Sequence, residues 1–163
     1  MYFNRGMANQ ITGNIKKAIQ DYTESLKLYP KYHRTYFYRA LAYIQEGNHD
    51  MALKDMNRSI EISPNDAAVL YNRSCLYLEQ GSYDMALKDV NRAIRLQGEM
   101  PLYYRQRALI YNRLKMHHKA LTDLDHAILL APDYVNAYEI RAKIFEELGR
   151  TDEAIRDFKK YQH

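Results

Sequence analysis

At 163 residues, with 47% apolar and 27% charged side chains, the chain has the size and balance of one folded domain and not of a disordered tail. Twenty-four Lys and Arg against twenty Asp and Glu leave a net charge of +4, too small to mark a nucleic-acid binder on charge alone. The one cysteine, Cys75, excludes an internal disulfide framework and a Cys-cluster metal site. No apolar run approaches the ~20 residues that cross a bilayer. The first residues lack the basic-then-apolar order of a secretory signal. With the lone thiol, these features predict an intracellular, cytoplasmic protein, with nuclear and ciliary settings left open.

The breakers are periodic. Pro30, Pro64 and Pro132 share a register of 34 residues, with Gly98 in the remaining slot. Gly13, Gly47, Gly81 and Gly149 share a second register, with Lys115 as the odd member. Gly6, Ala40, Ser74, Ala108 and Ala142 form a third, and Ala18, Ala52, Ala86, Ala120 and Ala154 a fourth. A strict period in this range marks a stacked array. The frame predicts one continuous array over 1–163, with repeats at about 1–32, 33–66, 67–100, 101–134 and 135–163.

Inside each unit the apolar residues recur at helical spacing. Tyr36, Ala40, Tyr43 and Ile44 form one such series, and Ala52, Leu53, Met56, Ser59 and Ile60 the next. Gly47 ends the first helix by permitting a positive φ, Pro64 ends the second, and Asn65-Asp66 offers caps for the third. In chain order the expected helix pairs are 2–12 with 15–28, 34–46 with 49–62, 68–80 with 83–96, 102–114 with 117–130, and 136–148 with 151–162. Small residues at Ala40 and Ala52 let two backbones approach, while Tyr43 and Met56 fill the flanks. No such unit buries its apolar face alone, so the expected fold is all-α: a right-handed α-solenoid of antiparallel helix pairs.

The slots Tyr36, Ala40, Tyr43, Gly47, Ala52, Met56, Ser59 and Pro64 resemble the tetratricopeptide repeat. Leu70, Ser74, Tyr77, Gly81, Tyr83, Ala86, Val90 and Ala93 repeat the pattern, as do Tyr138, Ala142, Phe145, Gly149, Ala154 and Phe158. The resemblance spans essentially the whole chain. It implies a non-catalytic scaffold or adaptor that holds a partner peptide or helix, with no cofactor.

Two charged registers are invariant within the chain. Arg5, Arg39, Arg73, Arg107 and Arg141 fall on the first helices, and Asp21, Asp55, Asp89, Asp123 and Asp157 on the second, 16 residues later. A helical hairpin can join them, so Arg39 with Asp55, Arg73 with Asp89, and Arg107 with Asp123 are expected as structural ion pairs. An aspartate tied to an arginine makes a poor general base, which argues against a catalytic row.

The resemblance implies that the first helices line a concave groove. On that basis Phe3, Met7, Phe37, Leu41, Ile44, Tyr71 and Leu78 form an aromatic and aliphatic strip, Tyr38 and Asn72 stand beside it in the groove, and Arg105 and Arg113 add charge further on. Such a strip suits a partner carrying apolar or aromatic anchors. Chaperone-binding members of the family clamp a C-terminal carboxylate with Lys and Asn, then Asn, then Lys and Arg. Here Asn72 matches the middle position, but Phe37, Leu41, Leu102 and Gln106 stand at the others. No chaperone-tail clamp is expected.

The six histidines, His33, His49, His117, His118, His126 and His163, form no i, i+4 ligand pair, so no metal is expected. There is no phosphate-cradling loop and no nucleophile elbow, so no enzyme is expected. The rival class is RNA binding through a basic convex face, where Lys54 with Arg58 and Lys88 with Arg92 lie four apart. A solvated basic face is the plainer reading, and nucleic acid is not the expected partner. No extra polar helix covers the last pair, although Gln162 replaces the apolar residue of its register. The expectation is therefore a piece of a longer array, or a homo-oligomer joined through the array ends.

Overall fold

The computed structural model describes residues 1–160 and contains ten helices. They are α1 (Tyr2–Ile11), α2 (Ile15–Leu28), α3 (His33–Glu46), α4 (His49–Ile62), α5 (Ala67–Glu79), α6 (Tyr83–Leu96), α7 (Pro101–Arg113), α8 (His117–Leu130), α9 (Val135–Glu147) and α10 (Thr151–Lys160). No strand occurs among the described residues. Gln162 and His163, which entered the reading of the chain end and of the histidines, lie outside them. The helices group into two compact units, Met1–Leu76 and Tyr77–His163, divided within α5.

Local chemistry sets the helix ends. Gly13, Gly47, Gly81 and Gly149 take φ values of 71 to 82°, where a Cβ is strained, and each closes a first helix. Lys115 holds the same conformation at φ 59°, a side chain doing a glycine's work. Asp66 caps α5 through Oδ1, which accepts from the Ala68 and Val69 amides at 3.1 and 3.3 Å. Asn48 caps α4 by accepting from Met51 N. Pro101 opens α7 in the first turn, where its missing N–H costs nothing.

The loops between repeats are pinned by tyrosines. The hydroxyls of Tyr36, Tyr104 and Tyr138 donate to the carbonyls of Pro30, Gly98 and Pro132, six residues earlier, at 3.2, 2.9 and 3.0 Å. This accounts for part of the high tyrosine content. The ring fills space beside the helix while its hydroxyl satisfies a loop carbonyl.

The first helices α3, α5, α7 and α9 are each buried along two lines, and α1 along one. One holds the small register: Gly6, Ala40, Ser74, Ala108 and Ala142 are all buried. A second line holds Thr35 with Ala42, Val69 with Leu76, Tyr103 with Ile110, and Ala137 with Ile144, each pair seven apart and each residue at most 3% exposed. In the first unit Ala42 joins Ala18 and Tyr22 of α2 in one core cluster. In the second, Ala137 and Ile144 of α9 join Ala108 of α7 with Ala120, Leu121, Leu124 and Ala127 of α8. Within each unit, the second line thus packs against the preceding repeat: Ala42 against α2, and Ala137 and Ile144 against α7 and α8.

Gly6 marks the tightest approach. A Cβ built there would lie 2.7 Å from Tyr22 Cε1 and 2.8 Å from Cδ1. Tyr22 is fully buried, so its ring cannot swing into solvent. Gly6→Ala is expected to destabilise the protein by about 1–3 kcal/mol through overpacking. Adding Tyr22→Leu to Gly6→Ala should recover stability relative to the alanine variant, measured by urea unfolding; further loss in the double variant would contradict this packing.

Candidate functional site

Two features could carry function: the charged ladder along the hairpins, and the outer walls of the first helices. The ladder is built from two-pronged guanidinium–carboxylate bonds. Arg39 Nε and Nη2 donate to Asp55 at 2.7 and 2.8 Å. Arg107 donates to Asp123 at 2.7 Å through both nitrogens, and Arg141 to Asp157 at 2.7 and 2.6 Å. Arg5 grips Asp21 through Nε and Nη2, the latter at 2.6 Å, and Asn9 adds a bond at 2.9 Å. Asp89 is buried; its register partner Arg73 lies in the other unit.

The third guanidinium nitrogen has a use that the sequence reading missed. Nη1 of Arg39, Arg73, Arg107 and Arg141 donates to Thr23, Asn57, Asn91 and Asp125, each 16 residues back, at 3.0, 2.7, 2.7 and 2.5 Å. These acceptors form a 34-residue register of their own, all carrying side-chain oxygens, and tabulating that register would have found them. Aromatic rings flank the same arginines. Arg39 lies over Tyr36 and Tyr43, Arg107 over Tyr104 and Tyr111, and Arg141 over Tyr138 and Phe145, at 5.4 to 5.9 Å.

In the pairs at Asp21, Asp55, Asp123 and Asp157 both carboxylate oxygens accept from the arginine, so each pair fastens the two helices of its hairpin together. Hydrogen bonding from Arg5 holds the Asp21 carboxyl below its usual range, although burial opposes this. Donating hydrogen bonds to Asp157 and Asp125 pushes the Arg141 guanidinium further up, although burial opposes this. Among the described residues, no three His, Cys, Asp or Glu side chains gather as a metal site.

The walls differ between the units. In the first, Phe37, Leu41, Ile44, Tyr71 and Asn72 are half-buried. Phe3, Met7 and Tyr38 are also half-buried, but they pack on the Ala18–Tyr22–Ala42 cluster. Phe3 meets Tyr32 and Tyr38 edge-on at 5.5 and 5.4 Å, so these three residues serve the core as well as the surface. Asn72 Nδ2 donates to the Ala68 carbonyl at 2.8 Å. A cavity of about 240 Å³ opens between α1 and α3, lined by Met7, Gln10, Ile11, Tyr38, Leu41 and Gln45. In the second unit Leu78 and Arg105 are half-buried and Arg113 is exposed. Gln106, read as a groove position, is instead only 3% exposed. On the second helices Lys54 and Lys88 are exposed, and Arg58 is held by Glu61 at 2.7 Å.

This is an all-helical protein of tandem hairpins, the α-solenoid class. Tetratricopeptide-repeat models match residues 1–32, 33–66, 56–88, 74–144 and 135–162, and the chain belongs to that family. Among solved structures, a crystal structure of MamA is 24% identical with a TM-score of 0.86, covering 95% of this chain and 91% of that one. PilF of Pseudomonas aeruginosa is 16% identical with a TM-score of 0.89, over 99% of this chain and 73% of that one. YrrB, described as a TPR protein with an unusual peptide-binding site, is 14% identical with a TM-score of 0.80, over 98% and 82%. No curated protein matches the chain. Folds of this kind serve as protein-interaction scaffolds and are generally non-enzymatic. Among the described residues no helix is long and apolar enough to cross a membrane.

Two predictions follow from the ladder. Arg107→Met should strand the Asp123 carboxylate, whose side chain is 7% exposed, at a cost of about 2–4 kcal/mol. Arg107→Met with Asp123→Leu should cost less than Arg107→Met alone, as read by a double-mutant cycle in urea. Because the Asp21 carboxyl is held low in the fold, its contribution is complete above the unfolded value of about 3.9 and fades as pH falls through the lower folded value. Acid unfolding curves of Asp21→Asn should therefore be flatter than those of the parent below about pH 4; parallel curves would show that Asp21 adds nothing to acid sensitivity.

Proposed function

We propose that this chain is a non-catalytic scaffold or adaptor, one array of five repeats, that holds a peptide or helical segment of a partner along its first helices. The observation that carries the reading is the strip Phe37, Leu41 and Tyr71. These side chains stay partly open after other registers have filled the core. An apolar row left accessible on a rigid helical frame is suited to anchoring apolar or aromatic side chains. Leu78, Arg105 and Arg113 are the contacts proposed for the second unit, the arginines adding polar selectivity.

A described relative of the fold supports the reading. The YrrB description shows that a protein of this fold carries a peptide site. The Asn72 amide donates one hydrogen bond to the Ala68 carbonyl of its own helix, and no chaperone-tail clamp is part of the proposal. The lone cysteine fits a reducing intracellular compartment.

The test is affinity capture from lysate with mass spectrometry, comparing the parent with Phe37→Ala/Tyr71→Ala after circular dichroism shows both folded. Partners captured by the parent and lost from the variant are the expected result. Equal capture by both would remove this strip from the binding surface.

A further inference from the structure

The cavity between α1 and α3 has a polarity that the apolar strip around it does not disclose. Its apolar lining is Met7, Ile11, Tyr38 and Leu41. An apolar hole of about 150 Å³ holds a benzene ring, so about 240 Å³ has room for one large aliphatic or aromatic side chain. All six lining residues come from the first helices of two successive repeats, and none carries a charge.

The two glutamines at the rim are oriented by a chain of hydrogen bonds that starts in the core. Tyr22 is fully buried, and its hydroxyl donates to Gln10 Oε1 at 2.8 Å. Burial pushes the Tyr22 phenol up to about 12, so it remains a donor at neutral pH. Gln10 is thereby fixed with its amide nitrogen outward, and Nε2 donates to Gln45 Oε1 at 3.0 Å. Gln45 has one oxygen and one NH₂ group. With the oxygen accepting, the exposed end of the relay is a donor. The rim therefore seeks an acceptor, while the uncharged lining disfavours a charged side chain in the cavity. A peptide supplies both complements together, since a backbone carbonyl stands beside every side chain.

We infer that the α1–α3 cavity is a residue-reading pocket that takes one large apolar side chain of a partner peptide, with the Gln45 amide donating to the adjacent backbone carbonyl. This rests on the groove reading above and narrows it to one position and one residue class. The Tyr22–Gln10–Gln45 relay supplies the orientation, and the cavity supplies the size limit.

The probe is N-acetyl-leucine N-methylamide, one apolar side chain between two peptide groups, titrated into the isotope-labelled full chain and followed by NMR. The expected result is saturable shifts at Met7, Leu41 and the Gln45 side-chain amide, with no saturable response to N-acetyl-lysine N-methylamide. Gln45→Glu replaces donors with acceptors at an exposed site and should weaken the leucine probe about fivefold. Leu41→Lys should abolish its binding. If Leu41→Lys melts the fold, Ile11→Lys, at a residue 83% exposed, takes its place. An absent response, an equal response to the lysine probe, or an unchanged affinity in Gln45→Glu overturns the pocket. If the leucine probe fails while Phe37→Ala/Tyr71→Ala still loses its partners, the groove reading stands and this cavity drops out of it.

Discussion

The structure depends on one arginine used three ways. In a hairpin of two helices the apolar faces alone fix neither the rotation nor the stagger of one helix on the other. A planar guanidinium facing a carboxylate through two parallel bonds fixes both at that point. The remaining Nη1, reaching 16 residues back, ties the hairpin to the one before it. Lysine in this position would supply a point charge without the fork. The flanking tyrosine rings keep the arginines partly shielded, which strengthens each bond relative to one fully in water.

Around these fastenings the core is built by matching small residues to large ones. The Gly6 and Tyr22 contact is the extreme case, an aromatic ring seated where no Cβ could fit. Elsewhere Ala108 shares a cluster with Leu124. The same frame tolerates Tyr22, Met56, Val90 and Leu124 in one register, all fully buried, because the first-helix partner register is kept small. Volume is traded locally while the backbone spacing holds.

Most of the fold was legible in the sequence because its breakers, small residues and charges each obey one period. The helix limits fall within about two residues of those the breakers imply, the last helix aside. What escaped was the face that one repeat turns to the next. Thr35, Val69, Tyr103 and Ala137 occupy one register and share burial but no residue type, so the register carries no signature beyond the absence of charge. The Nη1 acceptors escaped for a related reason, since Thr, Asn and Asp serve equally well. The binding wall was less legible still. Phe3, Met7 and Tyr38 are apolar for two reasons at once, packing on the core and facing outward, and a sequence pattern cannot apportion one side chain between two duties. The relay from Tyr22 to Gln45 joins residues 12 and 35 positions apart, a relation that no local motif records.

The arginine's equal reach in both directions bears on how such a chain can lengthen over evolutionary time. Arg39, Arg107 and Arg141 each find partners 16 residues ahead and 16 behind. Adding or deleting a few residues inside a hairpin would shift one partner away from its arginine and turn the side chains that follow it onto a different face. Inserting a whole unit of 34 restores every fork and every backward tie at once. Duplication in whole units is therefore the change this architecture accepts most readily. Drift within a unit is held at the arginine and aspartate positions, while the outward walls remain free to diverge.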